Sequence, residues 1–224
     1  MAKIFQVFIG CPFAKAIRKN YDRLKRDLEK ETPLHLILTD TVAISSTDFL
    51  LEHITSLIRE SAGCIFDVTG GNPNVSLEVG IAHALPAEFI LAMYTRRPRR
   101  RSAQSSSPEK NADVKPIISD LQGRNRIEYK TYVALKDLVL RRFSPKLPYM
   151  SRWQEFKSEN ASLAPHALKV FEQLRPSGRT LRPRVIALLD GSGIDPDNLL
   201  RKLSDHKLLA VKTGRHGGIY YPTK

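Results

Sequence analysis

A doubly wound parallel α/β sheet of five strands, followed by a smaller unit of helices and a hairpin, is the fold this 224-residue sequence predicts. Three observations predict it. Short apolar runs alternate with amphipathic helical stretches from Lys3 to Phe143, the pattern of parallel strands joined by crossover helices. Right-handed crossovers then place helices on both faces of the sheet. At the centre, the apolar run Cys64-Ile65-Phe66 ends on Asp67, and a dense turn leads straight into a helix. Beyond His166 the pattern changes to three short helices and two strands joined by a glycine-rich turn.

Taken in order, residues 3–9 read as the first strand, and Gly10-Cys11-Pro12-Phe13 as a turn at its carboxyl end. Ile17, Tyr21, Leu24 and Leu28 then recur on one side of a helix over 14–30, with lysine and arginine on the other. Leu34 to Leu38 is a second strand. Ser45-Ser46-Thr47-Asp48 caps a helix to about Ser61, with Leu51, Ile54, Leu57 and Ile58 inward. After the central strand, Asn74 is the expected cap of a helix that presents Val75, Val79 and Ala82 on one face. Phe89 to Tyr94 is a fourth strand, Arg124 to Tyr129 a fifth, and Tyr132 to Phe143 a helix. The segment Arg96 to Lys115 is basic, then serine-rich, and reads as a mobile loop dispensable for folding.

The expected domains are 1–146, a linker over 147–165 marked by Pro148 and Pro165, and a second unit over 166–224. Within the linker, Trp153 and Phe156 suit a short helix packed onto a domain. The composition is that of an ordinary globular chain, with 42% hydrophobic and 26% charged residues. The apolar run Ile4 to Ile9 is too short for a secretory leader, and no run is long enough to span a bilayer. Cys11 and Cys64 lack metal-ligand spacing and fit buried thiols in a reducing cytoplasm. His35, His53 and His83 are scattered and read as structural or surface residues, so no metal is expected. The net charge of +13 points toward a polyanionic partner, most simply nucleic acid.

The chemistry centres on Asp67 and Glu78. Each has a plain structural reading: Asp67 as a loop cap, Glu78 as an acid favoured near a helix start. Yet Glu78 lies between Leu77 and Val79 in a nearly apolar helix, and an acid in apolar company is a candidate for a shifted pKa and a functional role. A carboxylate close to a sugar's anomeric carbon stabilises the oxocarbenium character that develops as an N-glycosidic bond breaks, or forms a covalent ester. Gly70, Gly71 and Gly80 would let backbone approach a ligand, and Asn72 and Asn74 would donate to ribose hydroxyls or phosphate.

Phe8-Ile9-Gly10-Cys11-Pro12-Phe13, Phe66-Asp67-Val68-Thr69-Gly70, Asn72-Pro73-Asn74-Val75, Leu77-Glu78-Val79-Gly80 and Ala82-His83-Ala84 together resemble the nucleoside deoxyribosyltransferase-like family, which is related to TIR domains. The resemblance covers about residues 1–143 and implies a flavodoxin/TIR-like sheet. It implies that Glu78 attacks or stabilises the anomeric carbon, that Asp67 holds base or sugar, and that Gly10, Cys11, Pro12 and Phe13 shape the base pocket. Thr69, Gly70, Asn72 and Asn74 complete the expected substrate-binding set. The implied activity is N-glycosyl hydrolysis or transfer on a nucleoside or a nucleotide such as NAD, which would be substrate rather than cofactor. Relatives with fused domains include immune effectors, which opens an antiviral defence role. Others have lost catalysis, which leaves a nucleotide-sensing regulator as the alternative. TIR-like domains also assemble, so a homo-oligomer is expected.

Residues 166–224 resemble a winged helix-turn-helix: three helices, then a hairpin whose tip carries Arg215 and His216. The unit holds eleven Lys and Arg against five acids. Its third helix, from Pro196, would enter the major groove of duplex DNA with Asn198, Arg201, Lys202 and Asp205 projecting, residue types that include base-edge readers. Arg179, Arg182 and Arg184 would sit on phosphates. The competing reading is a unit that only packs on the first domain or mediates dimerisation.

Overall fold

In a computed structural model, residues 3–38, 47–95, 126–214 and 217–222 are described. The Arg96–Lys115 loop, the Ser45-Ser46 part of the cap cluster, and Arg215 and His216 lie outside them.

Five parallel strands form the first sheet: β1 (Lys3–Gly10), β2 (His35–Leu38), β3 (Ser61–Asp67), β4 (Phe89–Tyr94) and β5 (Arg126–Tyr129). Their spatial order is β2-β1-β3-β4-β5, all pairs parallel, which is the flavodoxin-like doubly wound order. The order reverses between β1 and β3, the position at which open sheets of this kind bind ligands at the carboxyl ends of their strands.

The period-two alternation of β-strands sorts the core into two layers. Val7, Ile9, Ile65, Ile90, Ala92, Ile127 and Tyr129 face α1 (Lys15–Glu31) and α4 (Tyr132–Leu138). Phe8, Cys64, Phe66 and Leu91 face α2 (Thr47–Glu60) and α3 (Pro73–Ala84). On α1 the stripe Ile17, Tyr21, Leu24 and Leu28 is buried as its spacing requires. The helix after β5 is shorter than its periodicity suggested. It closes at Leu138, and Val139–Phe143 continue in a wider π-type turn.

The short helix expected around Trp153 and Phe156 stands within the 147–165 stretch. α5 (Pro148–Glu159) buries Tyr149, Met150, Trp153 and Phe156. Pro148 occupies its first turn, where its missing N–H has no partner to lose. Trp153 stacks on Phe156, with centroids 5.6 Å apart, and meets Phe171 edge-on at 5.8 Å. Tyr149 lies between Phe5 of β1 and Phe171. The larger core layer therefore runs without a break into α6 (Ala164–Ser177), α7 (Arg182–Leu189) and α8 (Pro196–Asp205).

The remaining strands are β6 (Thr180–Leu181), which the sequence did not suggest, β7 (Leu209–Gly214) and β8 (Gly217–Pro222). They form an antiparallel sheet in the order β6-β8-β7. Leu199, Leu200 and Leu203 bury one side of α8, and Asp195 caps its start by accepting from the Asp197 N–H.

Candidate active site

Glu78 sits on the inner side of the second turn of α3 and is 6% exposed. Its carboxylate lies directly over Gly10 at the end of β1: a Cβ built on Gly10 would stand 2.0 Å from Glu78 Oε2 and 2.8 Å from Phe66 Cδ1. Only glycine leaves room for the acid there. The Cys64 thiol is pushed up to about 12 by burial and then by the Glu78 charge. Glu78 thus occupies the reversal point between β1 and β3, on the α2–α3 side.

Asp67 ends β3 one sheet position along and faces the other way. It is fully buried. Alternation sends Cys64 and Phe66 to the α2–α3 layer and Ile65 and Asp67 to the α1–α4 layer. There Tyr129 of β5 donates its hydroxyl to Asp67 Oδ2 at 2.6 Å. The Thr69 N–H donates to Oδ1 at 3.0 Å, and the Thr69 hydroxyl donates to the same oxygen. The Tyr94 N–H of β4 in turn donates to Thr69 Oγ1 at 2.7 Å. One carboxylate therefore ties together the ends of β3, β4 and β5.

Burial raises the Asp67 pKa, against the opposing pull of the hydrogen bonds from Thr69 and Tyr129. Tyr129 is raised by burial and then by the Asp67 charge, and fully buried Tyr21 is raised by the same causes in the same order. No hydrogen bond of good geometry closes on the Tyr21 hydroxyl, so its link to Asp67 is chiefly the field across a short gap. Tyr94 and Tyr129, paired in register, pack at 5.4 Å. This tyrosine cage was missed in the sequence, where Tyr21 reads as one more member of an apolar stripe. Tyrosines ending two neighbouring strands were the available signal.

The loop between the acids is built by its own residues. Gly70 and Gly71 take φ of 72° and 61°, the left-handed region that glycine enters without penalty. Asn72, not Asn74, caps α3: its Oδ1 accepts from the Asn74 and Val75 N–H groups at 3.0 and 3.3 Å. The cap falls two residues earlier than expected because Pro73 takes the first helical position. Asn74 is exposed. Gly80 has open space around it, so no crowding demands a glycine there. On the β1–α1 loop Pro12 is buried, Cys11 is half-buried and Phe13 is 64% exposed.

The expected DNA-facing residues are divided. Arg184 and Arg201 are exposed. Arg182 is engaged, its Nε donating to Asp197 Oδ1 at 2.8 Å. Asn198 accepts from Arg201 at 3.1 Å, and Lys202 donates to Asn160 at the end of α5. Among the described residues no group of three or more His, Cys, Asp or Glu is placed to hold a metal ion, and no helix is long and apolar enough to cross a membrane.

Among solved structures, the chain is similar to a 2-desoxiribosyltransferase from Leishmania mexicana, at 14% identity and a TM-score of 0.36, over 42% of this chain and 67% of that one. No family model and no curated protein matches the chain.

Proposed function

We propose that the α/β unit is an N-glycosidase-type enzyme acting on a nucleoside or nucleotide. One observation carries the reading: a nearly buried carboxylate, Glu78, held over Gly10 at the position where the strand order reverses. Such positions are where open α/β sheets bind ligands. In the reaction the bond between C1′ and the base nitrogen breaks, and the base leaves with the electron pair. The Glu78 carboxylate stabilises the cationic sugar or bonds to C1′, and water or a second base then takes the sugar. Asp67, held by hydrogen bonds from Thr69 and Tyr129, acts as a positioning residue for the strand ends that carry the Thr69–Asn72 loop. Exposed Phe13 offers a face for a base.

A second reading comes from the C-terminal unit. Its element order, α6-β6-α7-α8-β7-β8 with sheet order β6-β8-β7, supports a winged helix, and with it a nucleotide-sensing DNA-binding regulator. One experiment separates the readings. NAD and a panel of ribo- and deoxyribonucleosides are incubated with the wild-type chain and with Glu78→Gln, and free base is measured by mass spectrometry. The enzyme reading expects base release that falls at least about a hundredfold in the variant. Bound nucleotide recovered intact counts against it and favours the regulator, and release unchanged by the substitution counts against Glu78 as the reacting carboxylate.

A further inference from the structure

We propose that the exposed face of α1 is a binding surface for the phosphate backbone of a nucleic-acid duplex. Lys15, Lys19, Arg26 and Lys30 recur at i, i+4, i+11 and i+15, so they share one face of the helix. All four are exposed. At a rise of about 1.5 Å per residue they span about 22 Å, the axial length of six to seven phosphates on one strand.

The stripe's face also carries one exposed acid, Asp22, at i+7 from Lys15. Each acid of α1 has a partner outside the four stripe cations: Asp22 pairs with Arg18 of the same helix at 3.0 Å, Asp27 accepts from Tyr132 at 2.5 Å, Glu29 contacts His35 at 2.9 Å, and Glu31 pairs with Lys136 at 2.6 Å. None of the four stripe cations makes an ion pair with another described residue. Asp22 stands four residues before Arg26, the favourable arrangement on a helix, yet it turns to Arg18. Lys15 with Lys19, and Arg26 with Lys30, are like charges at i and i+4, an arrangement that destabilises a helix. A polyanion laid along the stripe relieves that repulsion.

The stripe ends at the C-terminal unit. The Arg175 guanidinium of α6 donates to Glu29 O at 2.7 Å and Leu34 O at 3.1 Å, seating α6 at the carboxyl end of α1. Arg179, four residues after Arg175, is also exposed. A lipid surface fits less well. A helix lying on a membrane sinks an apolar face into it, whereas Ile17, Tyr21, Leu24 and Leu28 of α1 are buried against the sheet.

The inference rests neither on the glycosidase reading nor on DNA contact by α8, and none of the four residues belongs to the candidate active site. Its test uses the full chain and a variant carrying Lys15→Gln, Lys19→Gln, Arg26→Gln and Lys30→Gln. Glutamine keeps helix propensity while removing charge. Both are titrated against a labelled mixed-sequence duplex of about 30 base pairs at roughly 50 to 200 mM salt. The plot of log affinity against log salt should be shallower by about 3 to 4 in the variant, at about 0.9 per phosphate contact. Affinity at the lowest salt should fall at least about tenfold. Arg184→Gln with Arg201→Gln is the comparator, with a slope change of at most about two. If the fourfold variant melts far below wild type, Lys15→Gln with Lys19→Gln alone should lower the slope by about two. A wild-type chain that binds no duplex at the lowest salt overturns the proposal. So does an unchanged slope in the variants, or binding to phosphatidylserine vesicles without binding to the duplex.

Discussion

Gly10 shows how narrowly the candidate site is drawn at the scale of one residue. The space a methyl group would take is held by Glu78 Oε2, and behind it stands Phe66, which is fully buried. Phe66 is wedged between Phe8 and Phe89, at 5.9 and 6.0 Å, so the carboxylate is what must move. Overpacking of this kind generally costs about 1–3 kcal/mol. Gly10→Ala is therefore expected to lower the melting temperature. It should also cut any Glu78-dependent base release at least about tenfold, since a displacement of an ångström at a reacting group is expensive. Wild-type activity with an unchanged melting temperature would mean that Glu78 has a second seat. Glycine at this position was legible as a turn residue after a strand. Its crowding was not, because the acid that crowds it comes from a helix far along the chain.

At the scale of elements, the loop from Thr69 to Asn72 does two jobs: it turns the chain through two left-handed glycines and caps α3. Asn72→Ala is expected to cost about 1 kcal/mol, the usual worth of such a cap. Asn74→Ala, at an exposed site whose side chain caps nothing, should stay within about 0.5 kcal/mol. Urea unfolding of both variants checks the contrast, and the reverse order would return the cap to Asn74. The first three helices and the strands of the first sheet were readable within a residue or two, except that β3 begins at Ser61, three residues before the expected Cys64. β6, only Thr180–Leu181, has too few residues to show a period and exists because it pairs with β8.

At the scale of the whole molecule, α5 decides how the two units are joined. Trp153 is fully buried among Phe156, Phe171 and the larger core layer, which reaches from β1 to α8. Arg175 adds hydrogen bonds to the end of α1. Calorimetry of the full chain should accordingly give one cooperative transition. Trp153→Ala should destabilise all of it by about 3–5 kcal/mol, the range for emptying a large aromatic site. Two separate transitions, with only the later residues affected by the substitution, would restore a linker between independent domains.

The sequence by itself determined the alternation of strands and helices, the inward stripe of each helix, the turn after Asp67 and the separate character of the C-terminal residues. These follow from local periodicity and from the backbone preferences of glycine, proline and asparagine. Only the tertiary structure decided which partners the charged and polar groups found. It placed Asp67 and Glu78 on opposite faces of one sheet, because β3 alternates while α3 crosses to the other layer. It gathered Tyr21 and Tyr129 around Asp67 from α1 and β5. It packed the helix around Trp153 into the core layer that also holds α6, α7 and α8. Partner choice among distant residues depends on strand order and packing, and neither is written in the spacing of neighbouring residues.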